Sequence, residues 1–98
     1  MAGRVTLTAH AAVATDRADR YAKQLVSHLG RKAEVREERD GSRLVIGDGS
    51  CLVAPGSGVL DLRAEAPSAE ALTVVQDVIG RHLVRFGEKD GLVVDWIR

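Results

Sequence analysis

The sequence predicts an α+β domain: a two-layer sandwich with two helices on one face of a mostly antiparallel sheet of about six strands, in the order β-α-β-β-β-β-α-β. Three observations carry this reading. One segment after Thr15-Asp16 and another after Pro67-Ser68 repeat apolar residues at helical spacing. Between them, four short extended runs alternate with glycine-containing turns. Further extended runs open and close the chain. Neither amphipathic helix can bury its stripe alone, and a single sheet face accommodates both. At 98 residues the chain fits one domain, 1–98, able to bury roughly two-thirds of the surface its unfolded form exposes.

The first element is an alternating run. Val5, Leu7, Ala9, Ala11 and Val13 fall on one face, and Thr6, Thr8 and His10 on the other, the period of a strand with one buried side. Thr15-Asp16 then offers an N-cap. Tyr21, Ala22, Leu25 and Leu29 recur at helical spacing, and Gly30 is a natural stop, so a helix is expected from about residue 16 to 29. Strands are expected at Ala33–Glu38, Arg43–Ile46, Cys51–Ala54 and Val59–Glu65. Asp40-Gly41 and Asp48-Gly49 read as type I′ hairpin turns, which makes the middle of the chain an antiparallel meander. Pro67-Ser68 opens the second helix. Leu72, Val75, Ile79, Leu83 and Phe86 form its apolar stripe, and Gly87 closes it. Leu92–Ile97 reads as a last strand. The outer sheet face would then carry Thr6, Thr8, His10, Asp61 and Arg63.

Composition narrows the function classes. Apolar residues make up 45% and charged residues 29%, which is globular composition rather than disorder. Tyr21, Phe86 and Trp96 are the only aromatics, so the core is aliphatic. Fourteen basic residues balance fourteen acidic ones, whereas a dedicated nucleic-acid binder carries a basic excess. Nucleic acid is therefore not an expected partner, nor is a membrane, since no window holds the ~18 apolar residues of a span. Cys51 is the single cysteine, so no intrachain disulfide can form. The first residues lack the apolar stretch of a signal peptide, and a cytoplasmic location is expected.

Motifs of known chemistry are scarce. There is no P-loop, no Gly-x-Ser-x-Gly, no Cys-x-x-Cys and no His pair at i, i+4. Gly47-Asp48-Gly49 lacks the third glycine and following helix of a phosphate loop and reads as a turn. Glu37, Glu38 and Asp40 read as a solvated hairpin tip. The histidines leave more open. His28 falls within about 40° of Tyr21 and Leu25 on a helical wheel, at the edge of the buried stripe. His82 flanks the second helix beside Val75 and Val78, and Cys51 lies on a meander strand. If the helices pack side by side, the three could converge, and imidazole with thiolate would suit zinc, copper or heme iron. On the other reading, each histidine bonds a backbone carbonyl at the core margin and Cys51 is a small buried hydrophobe. His10 reads as a surface residue. A polar band, Arg17, Arg20, Gln24, Ser27 and Arg31, runs beside His28 and could hold a carboxylate or phosphate, or be an ordinary wet face. Arg81 and Arg85 read as solvent residues.

Ala14-Thr15-Asp16-Arg17, followed by Arg20 through His28, resembles the start of the bacterial domain of unknown function 2218. Glu70-Ala71-Leu72 through Gly80-Arg81-His82-Leu83-Val84-Arg85-Phe86 is similar to that family's other signature, as is the tail with an acid before Trp96. The resemblance runs from about Val13 to Trp96. It implies a small domain without a settled activity, found alone or fused ahead of siderophore-interacting flavoproteins that reduce ferric chelates. It thus implies a link to iron, siderophore or heme handling, with a flavin-dependent ferric-siderophore reductase as partner. His28, Cys51 and His82 match positions typical of the family. Fused relatives are expected to carry a further histidine and an aromatic just after the position of His28, where this chain has Leu29, Gly30 and Arg31.

Three functions follow as expectations. The first is a non-catalytic binding or accessory domain, with His28, Cys51 and His82 as ligand or metal residues and Arg17 and Arg20 as anion-binding residues. The second is an interaction module acting as a homodimer through the exposed sheet face or an edge strand. The third is a small enzyme using His28 as a base beside the arginines.

Overall fold

The computed structural model describes residues 6–98, so Val5, placed above on the first strand, lies outside the described residues. Strand β1 spans Leu7–Ala14, with Ala9, Ala11 and Val13 buried and Thr8 and His10 exposed. Helix α1 follows at Ala18–Leu29. It starts later than expected because Thr15 does not cap it. The Thr15 hydroxyl accepts from the Arg17 amide at 3.0 Å, which closes a turn ahead of the helix, and Arg17 takes the cap position without a side-chain bond.

Strands β2 (Val35–Glu38), β3 (Gly41–Ile46), β4 (Gly49–Pro55) and β5 (Val59–Ala66) form the expected meander. Their turns differ from the reading above. Arg39-Asp40 and Gly47-Asp48 make the connections, while Gly41 and Gly49 already pair within the strands, with Glu38 and Ile46 respectively. Gly47 has φ +59° and, among the described residues, no non-glycine residue has positive φ, so the second turn places glycine first, as in type II′. Gly49 serves packing instead: a Cβ there would sit 2.6 Å from the Glu65 carbonyl oxygen and 2.8 Å from Val75 Cγ2. Helix α2 spans Ala69–Phe86, and Ser68 caps it by accepting from the Ala71 amide at 3.1 Å.

The sheet order is β1-β5-β4-β3-β2, antiparallel throughout. Both helices pack on the sheet and on each other. Register aligns Ala9, Ala64 and Cys51 across three neighbouring strands, and Val13 with Leu60. The row of small residues leaves room for the helices. Leu25, Leu44, Leu60, Leu62, Leu72, Ile79 and Leu83 fill the space between the layers. Each fully buried aliphatic side chain contributes about 1.5–3 kcal/mol.

Among the described residues the sheet has five strands, not six. Leu92–Ile97 is extended, but only Ile97 pairs, exchanging two 2.8 Å backbone hydrogen bonds with His10. Side-chain anchoring explains this. Leu92 is buried against Gly87, where a Cβ would clash with it, and Trp96 and Val94 lie over Gly80. The tail therefore follows α2 and reaches the β1 edge only at its end.

The outer face carries Thr8, His10, Asp61 and Arg63 as expected, now as an ion-paired surface. His10 and Arg63 both bond Asp61, the latter at 3.2 Å, and Arg43 lies 2.6 Å from Glu38. Strand β2 at the far edge is short and charged, a form that discourages edge pairing. Among the described residues no helix is long and apolar enough to cross a membrane.

Candidate functional site

Contacts between the helices set their direction. Arg17 and Tyr21, at the start of α1, reach Asp90 just beyond α2, and His28, near the end of α1, meets His82. The two run antiparallel, with the second half of α2 lying along α1. Positions 17, 21, 24 and 28 of one helix then face 82, 86 and 89 on the other side of the groove.

Two of the three expected ligands come together. The imidazole centroids of His28 and His82 lie 5.2 Å apart, tilted by 50°. Phe86 stands edge-on to both, at 5.4 Å and 6.0 Å. His82 Nδ1 lies 2.6 Å from the Val78 carbonyl oxygen, which can only accept, so Nδ1 carries the proton. In the neutral ring this leaves Nε2 with a free lone pair, the tautomer of a metal-ligating histidine. His82 thus bonds a backbone carbonyl, as one of its two readings expected, and that bond orients its other nitrogen. His28 is exposed on the outer rim.

Cys51 does not join them. It lies on the inner face of β4, fully buried, with Sγ 3.7 Å from the Leu52 carbonyl oxygen. Burial pushes its thiol up to about 12, so the thiolate a metal needs is strongly disfavoured. Among the described residues, no three His, Cys, Asp or Glu side chains are grouped to hold a metal ion. The expected three-way convergence is therefore corrected to a pair, because Cys51 is committed to the small-residue row under the helices.

Beside the pair, a cleft of about 600 Å³ opens between α1 and the turn after α2. Arg17, Arg20 and Gln24 line one wall, and Arg85, Phe86 and Lys89 the other. Asp90 closes one end, accepting from the Tyr21 hydroxyl and lying 3.9 Å from Arg17. The Asp90 bond, followed by burial, raises the Tyr21 hydroxyl above its ordinary value. The expected polar band divides here. Ser27 lines a different cleft, facing β3 and β4, and Arg31 is exposed beyond the helix end. Arg81 and Arg85 are both exposed, as expected; Arg85 also lines the cleft, and Arg81 pairs with Asp77 at 3.2 Å.

Sequence reading missed Phe86, Tyr21 and Lys89 as site residues because it assigned the first two to the core stripe and the last to a turn. The spacing 82, 85 and 86 on one face of α2 was the signal that would have grouped Phe86 with His82; Lys89 lies in the turn beyond the helix.

Fold and site together define a small α+β domain with a histidine-bearing, arginine-rich groove between two helices. The chain belongs to a family described as uncharacterized protein conserved in bacteria (DUF2218), whose profile matches residues 10–97. It is similar to PA4090 from Pseudomonas aeruginosa, solved by NMR, at 26% identity and a TM-score of 0.75, covering 92% of this chain and 94% of that one. No curated protein matches it.

Proposed function

We propose that this chain is a small accessory binding domain that takes an iron chelate, a ferric siderophore or heme, at the His28–His82 pair. The observation that carries the reading is the 5.2 Å approach of the two rings with His82 Nε2 freed by the Val78 carbonyl. Imidazole nitrogen is a good ligand for iron, and a neutral ring supplies it. The pair also fits a chelated metal better than a bare one. A structural zinc site takes four protein ligands, and this groove presents two. A metal that arrives already held by its chelator needs only one or two more. Leu29, where a further histidine is expected in fused relatives, packs against the core and adds no donor. The reading is consistent with a cytoplasmic partner that reduces ferric chelates, such as a flavin-dependent reductase.

The test is optical titration of the purified protein with hemin and with a ferric catecholate chelate, compared with His28→Ala/His82→Ala. Loss of two metal ligands should weaken binding by more than about tenfold, with unchanged far-UV circular dichroism. Equal affinity in the double variant, or no binding of either chelate to the native chain, overturns the reading. A native mass spectrum of the same preparation separates it from the homodimer alternative.

A further inference from the structure

We propose that the cleft beside the histidine pair is a binding site for a small organic polyanion, a molecule bearing two or more carboxylate or phosphate groups. This site uses different charges from the chelate site and requires no metal.

Elsewhere the protein pairs many of its arginines. Arg36, Arg43, Arg63 and Arg81 each lie within 4 Å of an acid. The exposed Arg31 and Arg39, outside the cleft, also have no acid at that distance among the described residues, so what sets the cleft apart is that it gathers several cations in one place. Among the described residues, Arg20, Arg85 and Lys89 have no carboxylate at ion-pair distance, although folding brings them from two helices to one cavity. Four cations and two acids line it, in a chain whose charges balance overall. One of those acids, Asp90, is already engaged by Tyr21 and Arg17. The lining is therefore net positive, and like charges held together favour an anion between them. Arginine supplies a planar fork matched to carboxylate and phosphate oxygens, and Arg20 and Arg85 approach from opposite walls. Gln24 adds an amide. Phe86 contributes an apolar patch, and the volume of about 600 Å³ exceeds what a single phosphate or carboxylate group fills, which leaves room for a larger body carrying several charges.

Citrate and pyrophosphate are the probes, titrated calorimetrically into metal-free protein at low ionic strength. The expected result is saturable 1:1 binding of at least one, weakened about tenfold by each of Arg20→Gln and Arg85→Gln, the loss of a charge-assisted hydrogen bond. Raising the salt should weaken it further. Arg81→Gln, on an exposed ion pair, should leave it unchanged. Citrate alone assigns a carboxylate ligand, and pyrophosphate alone a phosphate ligand. No saturable binding of either probe, or full binding retained by the folded Arg20→Gln/Arg85→Gln variant, overturns the proposal. His28→Ala/His82→Ala separates the two sites: it should lose the iron chelates and keep the polyanion.

Discussion

Cys51 and Tyr21 both hold their protons more firmly in the folded chain, the first through burial and the second chiefly through its bond to Asp90. The Cys51 thiol is pushed up to about 12, chiefly by desolvation. Tyr21 is raised above 10.0, chiefly by donating to Asp90. Each keeps its proton in the folded chain at pH values where the unfolded chain has released it. The folded state then binds more protons, so stability falls as pH rises. The loss begins near the unfolded thiol value of about 8.5, at up to ~1.4 kcal/mol per pH unit, and Tyr21 adds to it above about 10. Urea denaturation between pH 8 and 11 should show this decline, and Cys51→Ala should flatten its lower part. A pH-independent midpoint over that range contradicts the assignment. The same burial makes a thiol reagent label Cys51 only as the chain unfolds. His28 and His82 were legible as chemistry-bearing residues because helical spacing put both beside apolar stripes. Their 5.2 Å approach was not, since it depends on how two helices are staggered, which no local pattern encodes.

Among the elements, both helices and the four meander strands were readable from periodicity, and the misplacements lie at their ends. The Asp-Gly pairs marked the right connections but the wrong residues. In both hairpins the turn sits one residue earlier, and the glycine has become the first residue of the strand. Gly47 and Gly49 therefore have different reasons to be glycine, and alanine substitution separates them. Gly47→Ala meets open space but an unfavourable φ of +59°, a cost of about 1–2 kcal/mol. Gly49→Ala drives a methyl into the Glu65 carbonyl and Val75 beneath α2, an overpacking cost of about 1–3 kcal/mol or more. Thermal melts should rank Gly49→Ala as the more damaging. The reverse order would mean that α2 lifts from the sheet easily. Ser68→Ala, removing the α2 cap, should cost about 1 kcal/mol in the same assay. The Thr15 cap failed as a sequence signal for a physical reason: its hydroxyl satisfies the Arg17 amide before the helix begins.

For the molecule as a whole, the sixth strand marks the limit of what alternation can specify. Leu92, Val94 and Trp96 alternate with exposed residues as a strand requires, and the segment is extended. Alternation fixes which side chains face inward, but not whether the backbone finds a partner in register. Here the inward side chains lodge along α2, and only Ile97 meets β1. The tail is held by Leu92, a half-buried Trp96, the His10–Ile97 pair and Arg98, which donates to Gln76 at 2.9 Å and to Thr73 at 2.7 Å, against the full ladders that join the five strands. Segments held by few contacts open at lower free energy than the core they rest on. Trp96 is the single tryptophan, so its fluorescence reports the tail alone, while far-UV circular dichroism reports the helices and sheet. In a urea titration the fluorescence transition should precede the dichroism transition, and Trp96→Ala should lower the main midpoint only slightly. If the two transitions coincide, the tail is part of the cooperative unit, and the His10–Ile97 pair closes the sheet edge as firmly as a full strand would.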